Sequence, residues 1–175
     1  MVNPSTAGIG GKRTFVCYHA MMEEALISWR SWRQEGRVSL WRYRKAPRMY
    51  GGWHFTADGI GCASLIKLLN ILSSETEPAH RTISVFDPQE VGADRIFGDH
   101  DLRLDVPAKL RLGNDLDGTG SIGFAADVFA MPLRPEDISH LLEAVKDISA
   151  DHADFGVGFG KSDTIVRFWW WPKKR

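Results

Sequence analysis

Four side chains have the chemistry to act together as a nucleophile, a base and an orienting acid. Cys62 stands near the start of an apolar segment, where a helix N-terminus would favour its thiolate. His54 lies eight residues earlier and could serve as its base. Asp99-His100-Asp101 sets an imidazole between two carboxylates, an arrangement that raises and orients a histidine. His54, Cys62, His100 and Asp101 are thus candidate catalytic residues of a small, hydrolase-like enzyme whose site is assembled from dispersed positions. The ordinary alternative for Cys62 is a buried, inert thiol, and for the 99–101 triplet a solvated loop.

Other patterns fail on spacing. Gly156-Val-Gly-Phe-Gly160-Lys161-Ser162 ends like a phosphate loop, but Phe155 stands where the first glycine is required, and a strand-like run follows in place of a helix. Gly8, Gly10 and Gly11 precede a strand-like run rather than follow one, so they make no dinucleotide fingerprint. Asp115 and Asp117 suggest a calcium loop, yet Gly113 and Phe124 would occupy its first and last ligand positions. No pair of histidines has zinc-site spacing. The spacing therefore calls for no nucleotide, metal or cofactor.

The most unusual feature is the 29–48 stretch. It holds Arg30, Arg33, Arg37, Arg42, Arg44, Lys45 and Arg48 against the single acid Glu35, interleaved with Trp29, Trp32, Trp41 and Tyr43. Such a set could stack bases and neutralise phosphates, pair internally with the acidic 87–105 stretch, or contact a protein, since Arg and Trp are enriched at binding hot spots. With 22 basic and 22 acidic residues the net charge is zero, which disfavours nucleic acid and a membrane surface. The expected contact residues are Trp29, Arg30, Trp32, Arg33, Trp41, Arg42 and Arg44. Their partner is another protein or, most simply, a second copy in a homodimer.

Such residues need elements to position them. A chain of 175 residues with 43% hydrophobic and 25% charged residues builds one core without disulfides. Its two cysteines and its lack of a signal or spanning segment predict a soluble, cytoplasmic protein. Residues 1–11 form a flexible arm and 12–175 a single α+β domain. Apolar periodicity predicts an N-terminal helix over 21–35 ended by Gly36, a strongly apolar helix over 59–72 capped by Thr56 or Asp58, and a third helix opened by Pro135. Strands are expected at 13–18, 37–44, 53–55, 82–86, 107–113, 121–131, 155–159 and 164–171. They form a mixed or largely antiparallel sheet, and Leu65, Leu68, Leu69, Leu141, Leu142 and Val145 bury against it. A strand feeds each of the two better helices, so a tandem β-α-β duplication is conceivable, although that order is common in α+β folds. In 168–171 the rings fall on both faces of a strand, as a covered, central strand would need.

The reading that these features support is a non-enzymatic protein-binding domain with an aromatic–arginine surface. The enzyme built from His54, Cys62, His100 and Asp101 is the alternative.

Overall fold

Alternation along the first described strand sends its side chains into two different cores. In β1 (Val38–Tyr43), Val38 and Leu40 join the main core, while Trp41 and Tyr43 lie in a smaller cluster on the opposite face. The computed structural model describes residues 28–45, 50–93, 103–160 and 164–171. The expected strand at 13–18, the first turns of the 21–35 helix, and His100 and Asp101 lie outside these residues.

The other elements follow in order: β2 (Trp53–Ala57), α1 (Gly59–Ser74), β3 (His80–Ser84), a short 3-10 turn (Pro88–Val91), β4 (Leu104–Asp105), β5 (Lys109–Asn114), β6 (Gly123–Ala125), β7 (Val128–Leu133), α2 (Pro135–Ser149), β8 (Phe155–Phe159) and β9 (Thr164–Phe168). The fold is α+β, with two mixed sheets rather than one. The first has the order β4-β1-β2-β9-β8, the second β3-β5-β7-β6. The two helices pack on each other, and each touches strands of both sheets.

The two sheets share one plan. A hairpin, a helix and a second strand pair occur twice, as β1-β2-α1-β3-β5 and β6-β7-α2-β8-β9. In each sheet the hairpin of one repeat lies beside the second strand pair of the other. β2 runs parallel to β9, and β7 runs parallel to β5; the remaining pairs within this plan are antiparallel. Each sheet is therefore completed by strands from both halves of the chain.

Three expectations are corrected. Residues 28–35 are a turn and extended chain, with Trp32 N bonded to Ser28 O, so no helix reaches Gly36. Gly36 instead takes a positive φ where the chain passes the start of α1; a Cβ there would sit 2.1 Å from Gly61 N. The stretch 121–131 is not one strand but the β6–β7 hairpin, turned at Ala126 and Asp127, both at positive φ. The helix residues bury between two sheets, with Leu142 only partly covered and Ile60, at the start of α1, 62% exposed.

Candidate functional site

His54 and Cys62 sit close in sequence but are divided by a sheet. Phe55 and Ala57 of β2 face the main core, where Cys62 packs. His54 points to the other face, stacked between Trp41 and Trp169 at ring separations of 5.5 and 5.7 Å. Both its nitrogens are engaged: Trp169 Nε1 donates to Nδ1 at 2.8 Å, and Nε2 lies 2.9 Å from the Tyr50 carbonyl, which fixes the neutral Nε2–H tautomer. Burial drives its pKa down to about 4; the Tyr50 carbonyl opposes the shift and Arg167 adds to it. Burial, reinforced by Asp58, pushes the Cys62 thiol up to about 11, and its Sγ rests 3.6 Å from the Ala57 carbonyl. The two residues form no nucleophile–base pair.

The other sequence motifs resolve into turns and strands. Gly156 and Gly158 belong to β8, which pairs with β9. Asp117 Oδ1 accepts from Thr119 N and Oγ1, and the Asp115 carboxylate accepts from Gly120 N, so both acids shape their own loop. Among the described residues no three His, Cys, Asp or Glu side chains are placed to hold a metal. The cavity enclosed by Phe55, Leu69, Leu110, Met131, Val145 and their neighbours is about 10 Å³ and wholly apolar, too small for a ligand.

The expected contact residues divide into three groups. Trp32 and Trp41 are buried and belong to no surface. Trp32 Nε1 donates to Ser64 O at 3.0 Å, fastening the 28–35 segment to α1. Trp41 lies in the stack with His54, and its Nε1 has no hydrogen-bond partner among the described residues. The second group covers the edge of β3. Trp29 stacks on His80, the Arg81 guanidinium donates to the Trp29 and Arg30 carbonyls, and the Gln34 side chain pairs with Ser84 N and O. An edge strand offers unpaired backbone groups to any passing strand, and this segment blocks that route. Arg30 and Arg33 remain exposed there.

Arg42 and Arg44 form the third group, at the end of the β1–β4 pair. Arg42 stands opposite Asp105 in the ladder and reaches it through Nη2 at 2.7 Å, with its guanidinium also over the Trp53 ring. Arg44 Nε reaches the other oxygen of the same carboxylate at 2.7 Å. Hydrogen bonds from Arg42 lead the effects that hold the Asp105 carboxyl below the usual range; burial opposes them, and Arg44 adds its hydrogen bond and charge to those of Arg42. Arg44 N bonds to the Arg103 carbonyl at 3.0 Å, and Arg103 and Lys45 are exposed beside it. Residues 42–45 and 103–105 thus carry four cations and one carboxylate, a local net charge of 4 − 1 = +3, and two of the cations, Arg42 and Arg44, hold that carboxylate. Sequence reasoning missed Arg103, because nothing in a two-residue strand signals pairing with a segment some sixty positions earlier. Within the same stretch Arg37 is neutralised by Asp58 and Glu90.

No family model matches the chain, and no curated protein and no solved structure matches it either.

Proposed function

We propose that this chain is a non-enzymatic protein-binding domain whose contact surface is the arginine cluster at the end of the β1–β4 pair. One observation carries the reading. Arg42, Arg44, Lys45 and Arg103 are exposed, lie in or directly beside the paired ends of β1 and β4, and have beside them, in residues 42–45 and 103–105, the single acid Asp105, which Arg42 and Arg44 hold. Concentrated like charge costs stability unless a partner neutralises it.

The test is a pull-down from the protein's own host, with the wild type and the Arg42→Glu/Arg44→Glu variant as parallel baits, joined to light scattering of both. One defined protein retained by the wild type alone, or a wild-type dimer that the variant converts to monomer, is the expected outcome. A wild type that is monomeric and retains the same proteins as the variant would refute the reading. Circular dichroism must show the variant folded, and Arg42→Gln/Arg44→Gln serves if the charge reversal unfolds it.

A further inference from the structure

Resting on that reading, we infer that the cluster's partner is a carboxylate-rich segment of a different protein, and not a second copy or a nucleic acid. The donors left over by Asp105 define what fits. Arg44 engages Asp105 through Nε, so both its Nη groups remain unengaged within the described residues. Arg103 and Lys45 have no ion-pair partner there at all. These are forked and point donors on the same strand ends as a carboxylate that Arg42 and Arg44 each already hold at an N–O distance of 2.7 Å. A further carboxylate can bind as Asp105 does.

The rivals fit less well. Single-stranded nucleic acid is held by exposed rings that stack on bases. Here Trp41 and Tyr43, the rings nearest in sequence, are buried, and Arg42 lies over Trp53. A second copy would bring the patch against itself if it lay on a two-fold axis. Eight cations would then face two carboxylates, twice the four and one of a single chain, which is repulsive.

The probe is a fluorescein-labelled 20-residue poly-L-glutamate, compared by anisotropy with poly-glutamine and with a 20-nucleotide oligo-dT. The glutamate peptide should bind saturably and weaken as salt rises. Arg44→Glu/Arg103→Glu should lower its affinity by about tenfold. Arg30→Glu/Arg33→Glu, the same change in charge at the β3 edge, should alter it less than about twofold, a margin typical of screened surface charge. Arg44→Gln/Arg103→Gln gives the same comparison should the reversal disturb folding. Equal losses in the two pairs of sites, tighter binding of oligo-dT, or no binding of the peptide would overturn the inference. A wild-type dimer dissociated by Arg44→Glu/Arg103→Glu would overturn it too, while leaving the cluster as a protein-binding surface.

Discussion

At His54 burial opposes protonation, and Nδ1 could take a proton only by giving up the hydrogen bond it accepts from Trp169. Its folded pKa of about 4 lies below the ordinary value of 6.5, so between these the unfolded chain takes up a proton that the folded chain refuses. Stability from this residue is therefore present at neutral pH and is lost as pH falls through that window. Urea unfolding followed by tryptophan fluorescence should show wild type losing about 2 kcal/mol more than His54→Gln between pH 7 and pH 5. Equal losses would mean that His54 is solvated in the folded state. Asp58 and Asp105, whose carboxyls are held low, add their own losses only at more acid pH, by the same sign rule for carboxylates. Cys62 makes the matching case for reactivity. A buried thiol with a raised pKa presents little thiolate. In a Cys17→Ser background, Ellman's reagent should label Cys62 only after denaturation.

At the scale of an element, the start of α1 shows how a cap also places a strand. Asp58 Oδ1 accepts from Gly61 N at 2.7 Å and from Arg37 N at 3.0 Å, while Oδ2 takes the Arg37 guanidinium at 3.2 Å. One carboxylate thus caps the helix and holds the residue before β1. The chain can lie this close because positions 36 and 61 lack side chains. Gly36→Ala should cost about 1–3 kcal/mol from its positive φ alone, and more from the clash. A thermal melt unchanged from wild type would show that the segment can move away. The β6–β7 hairpin carries the opposite opportunity. Ala126 and Asp127 both hold positive φ in a two-residue turn, a conformation that Asn-Gly adopts at little cost. Ala126→Asn/Asp127→Gly should stabilise by about 0.5–1 kcal/mol, read as a higher melting temperature.

At the scale of the molecule, the exchange of strand pairs between repeats makes the two halves depend on each other. β5 pairs with β7, and β9 with β2, so a half alone leaves an open edge in each sheet and exposes one face of its helix. Fragments 1–118 and 119–175, separated in the loop between β5 and β6, should each fail to fold alone. Mixed, they should recover the native amide spectrum. Independent folding of either fragment would show that the exchange is not required. Leu69, fully buried where the helices meet both sheets, tests the shared core. Leu69→Ala should destabilise the whole protein by about 2–5 kcal/mol in a single transition.

What sequence alone determined was local. The strong periodicity of the two long helices placed both within a few residues, since Leu65, Leu68, Leu69 and Leu72, like Ile138, Leu141 and Val145, must share one helix face. The missing first glycine at Phe155 excluded a phosphate loop for the same local reason, and Phe155–Phe159 is a strand paired with β9. Tertiary structure decided what depends on distant pairing. Trp32 and Trp41 look like surface anchors beside arginines, yet one fastens a segment to α1 through Ser64 and the other stacks on His54. The 28–35 stretch has a helical pattern, but its tryptophan and glutamine bind the edge of β3 instead, because tertiary contacts outweigh weak helix propensity. The turn at Ala126 and Asp127 carries no glycine to announce it. Arg103 joins Arg42 and Arg44 only because β4 pairs with β1, and a ladder between segments so far apart leaves no periodic trace in either.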